Sequence, residues 1–232
     1  MRNFLKQELS GWQRWEVIYG VCCTTAIMVI SIILGDNALG IASAVTGTLY
    51  TLLAGKGKIS CYIFGIFNSA SYGYIACKNT LYGDAMLNIC WYLPMMFAGI
   101  IFWRKKLDSQ GCAIKKRLSL KGRVITLFAG MMMIALYAYF LNMLGDRQPL
   151  VDSATTILSV IAMILTVKRC VEQWLMWILV NAISVVMWLR VYLENGNSAA
   201  TLLWWLIMLI TGIIFFIQWS KDIRSGDKDN AA

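Results

Sequence analysis

Residues 171–193 read VEQWLMWILVNAISVVMWLRVYL, and the only charged side chains in the run are Glu172 near one end and Arg190 near the other. At about 1.5 Å of helix per residue, such a run crosses the roughly 30 Å hydrocarbon core of a bilayer. Backbone N–H and C=O groups in hydrocarbon find no water, so the run must be a helix. Seven more runs of this kind lie at about 17–34, 38–54, 59–77, 85–103, 124–142, 150–167 and 199–219. The stretch left over at 104–123 is too short for a soluble domain. The sequence therefore predicts an all-α integral membrane protein with eight transmembrane helices.

The composition agrees. Apolar residues make up 59% and charged residues 14%, against about 45–50% and 25% in soluble domains. No His is present, which excludes His-ligated metals, haem and His-based acid–base catalysis. The seven Cys form no CxxC pair and lie mostly in apolar runs, so they read as small apolar residues in a reduced setting. No GxxxxGK[ST] loop occurs, and no ATP site of that kind is expected. The first apolar run lacks a small-residue cleavage site, so no cleavable signal peptide is expected. The reading is a non-enzyme that needs no cofactor or metal.

Placing the cations turns the net charge of +9 into a topology signal. With the N-terminus in the cytoplasm, 18 of the 21 Lys and Arg fall inside, and only Lys78, Arg147 and Arg190 fall outside. The positive-inside bias puts both termini in the cytoplasm of a multi-pass inner (plasma) membrane protein. It assigns the basic character to lipid contact, not to nucleic acid. Residues 3–16, with Trp12 and Trp15 among charges, suit a short interfacial helix.

Shifting the chain by 113 residues brings its middle onto its end. Asn68 falls on Asn181, Ser71 on Ser184, Gly83 on Gly196, Trp91 on Trp204, Leu93 on Leu206 and Met95 on Met208. Gly99-Ile100-Ile101-Phe102 falls on Gly212-Ile213-Ile214-Phe215. The repeat unit is three helices, and one linker helix restores the orientation of the second unit. The plan is 1+3+1+3: residues 1–36 form an interfacial segment and an extra helix, 37–103 the first repeat, 104–142 a basic cytoplasmic loop and the linker helix, 143–220 the second repeat, and 221–232 a cytoplasmic tail. Parallel repeats of this kind place substrates near mid-bilayer and move by rocking of the units.

The second helix of the second repeat carries the chemistry. At 100° per residue, Trp174, Trp177, Asn181, Ser184 and Trp188 share a face about 80° wide. Its repeat mate carries Cys61, Phe64, Asn68, Ser71 and Ile75 at the same angles. A central amide without a partner is costly in hydrocarbon, so Asn68 and Asn181 either bond a neighbouring helix or meet a ligand. Trp91 and Tyr92 lie at similar depth, ahead of Pro94, which loosens a helix. The expected substrate-binding residues are Phe64, Asn68, Trp91, Tyr92, Trp174, Trp177, Asn181 and Ser184. Trp faces suit flat or cationic rings. Carboxylates and basic residues keep to the span ends, so no proton relay is evident and facilitated diffusion is expected.

The 1+3+1+3 plan and the spacing WxxWxxxN, here Trp174-Trp177-Asn181, resemble the PnuC family of bacterial vitamin transporters. The segments LAGKGKISCYIFGIFNSASYGY, NTLYGDAMLNICWYLPMMFAGIIFW and KRCVEQWLMWILVNAISVVMW look like family segments, and the resemblance covers about residues 15–220. It implies a duplicated SWEET-like fold and a homotrimer. It also implies passive import of nicotinamide riboside (vitamin B3), trapped by a cytoplasmic kinase for NAD biosynthesis. Relatives that carry thiamine or riboflavin are the alternative. The motif would place Trp174, Trp177 and Asn181 at the substrate, while Cys61 and Phe64 depart from it in the first repeat.

Overall fold

The computed structural model describes residues 7, 8, 10–195 and 199–229. Gly196 of the repeat register, the start of the 3–16 segment and the end of the tail lie outside the described residues. The helices are α1 (Arg14–Ile33), α2 (Ala38–Lys56), α3 (Cys61–Lys78), α4 (Tyr82–Arg104), α5 (Leu120–Met143), α6 (Pro149–Val167), α7 (Glu172–Asn195) and α8 (Ala199–Asp229). They follow the eight apolar runs closely. The largest difference is α8, which stays helical through most of the segment read as a tail. Lys221, Asp222, Ile223 and Arg224 contain no breaker, and Asp222 is held by an ion pair to Lys115.

Seven of these helices are long and apolar enough to cross a membrane: α1, α2, α4, α5, α6, α7 and residues 201–225 of α8. The expectation of eight spans rests on α3, whose middle carries Asn68, Ser69, Ser71, Tyr72 and Tyr74. Those polar groups lower its hydropathy.

The chain divides into two compact units, one up to Ile114 and one from Lys115 onward. In the first, α1 packs on α2, α2 on α3 and α3 on α4. In the second, α5 packs on α6, α6 on α7 and α7 on α8. The helix read as a linker is thus packed into the second unit.

Polar ties fix the ends of these helices. Glu16 Oε2 accepts the Gln13 N–H at 2.7 Å, capping α1, and lies 2.6 Å from Lys56 Nζ at the end of α2. The two side chains are 4% and 11% exposed. Gly57 ends α2 at φ +85°, a left-handed conformation that costs glycine nothing, and its carbonyl accepts the Ala113 N–H at 2.8 Å. Lys58 is fully buried and donates to the carbonyls of Gln7 at 2.6 Å and Gln110 at 3.0 Å.

In the second unit, Ser119 caps α5 by accepting the Gly122 N–H at 3.1 Å. Arg123 Nε donates to Glu172 Oε1 at 2.9 Å, tying the starts of α5 and α7. All seven cysteines are free. Burial pushes the thiol of Cys170, in the turn between α6 and α7, above its ordinary pKa. It therefore stays protonated and unreactive at neutral pH.

Inside α4, residues Leu87–Tyr92 form a π-helical segment, and the Leu93 N–H donates to Asn88 O, five residues back. Pro94 supplies the reason: it has no N–H to give the carbonyl four residues before it, and its ring crowds that turn. Such segments recur at functional sites.

The Glu16–Lys56 pair yields a test. Lys56→Met strands a buried carboxylate and should cost about 3 kcal/mol or more, whereas Lys56→Met with Glu16→Gln should recover most of it. Chemical unfolding of wild type, both single variants (Lys56→Met and Glu16→Gln) and the double variant in detergent reads this out.

Candidate functional site

The face of α7 singled out by its spacing turns into the second unit. Trp174, Asn181 and Ser184 are 3%, 8% and 6% exposed, and Trp177 and Trp188 are half-buried. Leu175, Leu179, Val186 and Leu189, elsewhere around the helix, are exposed. The inward face meets α6 and α8, the two neighbours of α7.

The residues on this face have different surroundings. The Trp174 ring lies 5.3 Å from that of Phe215 and 5.9 Å, edge-on, from that of Trp219, both on α8. Trp219 is fully buried, with the Lys115 ammonium 5.2 Å from its ring centre. Trp174 is thus part of a packed aromatic cluster, yet its indole N–H is buried with no acceptor among the described residues. The side-chain amide of Gln173, 1% exposed, also donates to nothing among the described residues. Two turns along, the Asn181 amide and the Ser184 hydroxyl make no hydrogen bond among the described residues. Gly212 of α8 leaves room beside them: a Cβ there would stand 3.1 Å from Ile178 Cγ1 and 3.9 Å from Asn181 Nδ2.

The repeat mate behaves otherwise. Asn68 Nδ2 donates to Ser43 O at 2.8 Å and approaches Ser43 Oγ at 3.3 Å. Gly47 makes this approach possible, since a Cβ there would lie 2.8 Å from the same nitrogen. Ser71 Oγ bonds back to Phe67 O at 2.7 Å and to Asn68 O at 3.2 Å. Phe64 is half-buried one turn away, and Cys61 is completely buried. The two asparagines share a register but not a role: Asn68 ties α3 to α2, whereas Asn181 keeps its hydrogen-bonding capacity.

Trp91 and Tyr92 lie in the π-helical segment of α4, which packs on α3. Both are half-buried, and the Trp91 indole N–H is buried without an acceptor among the described residues. The sequence reading did not single out Asn88, which is 8% exposed and donates to Asp84 O at 2.9 Å. Its signal was a lone amide in an apolar run, six residues before Pro94. Gln173 was also passed over, although it directly precedes Trp174.

Trp174, Trp177, Asn181 and Ser184 therefore share one face of α7, Phe64 and Asn68 lie on α3, and Trp91 and Tyr92 on α4. The face on α7 is aromatic and uncharged, with an amide and a hydroxyl that make no hydrogen bond among the described residues. Such a surface binds a flat ring by stacking and fixes it with a few hydrogen bonds.

Helices of membrane length with a polar, uncharged face on one of them define a multi-pass membrane protein. Comparison with known proteins is consistent across the chain. A family model described as nicotinamide mononucleotide transporter matches residues 37–221. The curated "Nicotinamide riboside transporter PnuC" of Neisseria mucosa is 31% identical, over 94% of this chain and 86% of that protein. The protein of the same name from Haemophilus influenzae is 30% identical, over 95% of this chain and 96% of that one. A solved structure, "Crystal structure of the Vitamin B3 transporter PnuC", superposes with a TM-score of 0.82 at 30% identity, covering 97% of this chain and 99% of that chain. The chain belongs to the PnuC family of transporters, and it is not an enzyme.

The two asparagines are separable by stability. Asn68→Ala removes a helix–helix hydrogen bond and should cost about 1 kcal/mol. Asn181→Ala removes none and should stay within about 0.5 kcal/mol of wild type. Thermal unfolding in detergent measures both.

Proposed function

We propose that this chain is a passive carrier of nicotinamide riboside, with the inward face of α7 as its main recognition surface. The observation that carries the reading is the Asn181 amide, one turn from Trp177 on a face without charge, which makes no hydrogen bond among the described residues. Its match to curated riboside transporters supports the substrate. The riboside is a flat pyridinium cation with a carboxamide and a ribose. Trp177 offers a π face to the cation, worth about 0.5–2 kcal/mol. Asn181 and Ser184 offer donors and acceptors to the carboxamide and hydroxyls, and the indole N–H of Trp174 is a further donor. Phe64, Asn68, Trp91 and Tyr92 of the first repeat complete the proposed set, with Asn68 also holding α3 to α2.

All eight helices span the membrane on this reading, α3 included, in a SWEET-like 1+3+1+3 plan with both termini in the cytoplasm. The linker is α5, and the carrier is a homotrimer in the bacterial inner membrane. No carboxylate, Lys or Arg sits mid-span to relay protons. Transport then runs downhill, and a cytoplasmic kinase that phosphorylates the riboside retains it inside.

The description of the matching family model favours a second reading, transport of the mononucleotide. A phosphate asks for Arg or Lys at the site, and the recognition face of α7 carries neither. The mononucleotide is therefore excluded on our reading.

Quenching of Trp fluorescence on purified protein, titrated with nicotinamide riboside, its mononucleotide, thiamine and riboflavin, tests the assignment. We expect saturable quenching by the riboside alone, weakened about tenfold by Asn181→Ala, the equivalent of one hydrogen bond. Quenching by thiamine or riboflavin instead would replace the substrate. Uptake into proteoliposomes should proceed without any ion gradient and resist ionophores. Comparable uptake of the mononucleotide would overturn the reading.

A further inference from the structure

The second unit contains a groove of about 630 Å³ that substrate recognition does not use. Its floor is apolar, with Met131 of α5, Ile161 and Leu165 of α6, Leu179 of α7 and Phe216 of α8 among its lining. Volumes of this order suit a single amphiphilic molecule. Arg117, Arg123, Lys221 and Arg224 also line it, and all four are exposed. They come from the stretch before α5, the first turn of α5 and the far end of α8, so the charges gather at one end of the groove.

The charge there is one-sided. Glu172 is the one carboxylate in the lining, and it is already engaged by Arg123 Nε at 2.9 Å and by the Leu118 N–H at 3.2 Å. Asp222 nearby is held by Lys115. Arg117 reaches only the Ser220 carbonyl, at 3.4 Å, and Lys221 and Arg224 have no ion pair among the described residues. Three cations thus face outward over an apolar channel.

The flank of the groove is exposed hydrocarbon. Leu127 and Met131 of α5 are 59% and 48% exposed, and only 6% of the membrane-length window of α5 is buried. On α7 the groove is lined by Leu175, Met176 and Leu179. At 100° per residue these lie roughly opposite Trp177, Asn181 and Ser184.

We propose that this groove is a binding site for one anionic phospholipid, its phosphate among Arg117, Lys221 and Arg224 and an acyl chain along the apolar floor. Basic pockets between membrane helices recognise lipid headgroups in this way. A zwitterionic lipid would carry its own cation into the cluster, and a free phosphate would leave the floor empty. The lipid braces the reverse side of the helix that carries the recognition face.

The test uses the full-length protein, delipidated in detergent. Thermal unfolding is followed while phosphatidylglycerol, phosphatidylcholine of the same chains, or inorganic phosphate is added. Phosphatidylglycerol should raise the melting temperature saturably, and the other two should not. Arg117→Gln with Lys221→Gln and Arg224→Gln, three exposed positions, should weaken that effect at least about tenfold. Leu127→Trp, which narrows the groove with every charge intact, should weaken it as well. Equal stabilisation by phosphatidylcholine or by phosphate alone would overturn the proposal. So would an undiminished response in both variants, or Leu127→Cys crosslinking efficiently to a second copy of the chain, which would make the groove a subunit interface.

Discussion

A polar atom placed in hydrocarbon has no water to turn to, and each feature of this protein answers that constraint. Backbone groups meet it by forming helices, which is why runs of apolar residues can be read directly as spans. Charged side chains meet it by collecting at helix ends, where Glu16 finds Lys56 and Glu172 finds Arg123. The few amides and indoles left inside must either bond to a neighbour or face something that is not lipid. That choice separates architecture from recognition here.

The comparison of Asn68 with Asn181 makes the point within one molecule. Both sit at matching positions of a 113-residue repeat, on helices of similar pattern. Gly47 lets α2 come close enough for Ser43 to take up the Asn68 amide. No such acceptor meets Asn181 among the described residues, so its hydrogen-bonding capacity stays unused within the second unit. The two tryptophans differ in burial: Trp174 is packed against Phe215 and Trp219, while Trp177, one turn from Asn181, is half-buried. Matching positions thereby hold a bonded asparagine in one unit and, in the other, one with no hydrogen bond among the described residues.

On the two proposals above, the α7 helix is used on two sides. One flank carries the uncharged aromatic and amide groups, and the opposite flank lines an apolar groove under a cluster of cations. The two surfaces need different chemistry. A cationic ring is repelled by arginine and held by indole, whereas an anionic headgroup requires the guanidinium and ammonium groups that the recognition face lacks.

Hydrophobic run length and the position of Lys and Arg determined the helices and the proposed orientation, because both depend on transfer energies that act residue by residue. Angular spacing found the face of α7, because 100° per residue is a property of the helix itself. The reach of sequence ended where partners on other helices decide the outcome. Nothing in the register distinguished Asn68 from Asn181, since the difference lies in which backbone approaches each amide. Pro94 announced a loosened turn, but its form, a π-helical segment that includes Asn88, depended on how α4 closes its hydrogen bonds. The packing of α5 onto α6, and the groove along its exposed side, arise from contacts among four helices. Those contacts are made only when the chain is folded, and there the tertiary structure alone decided.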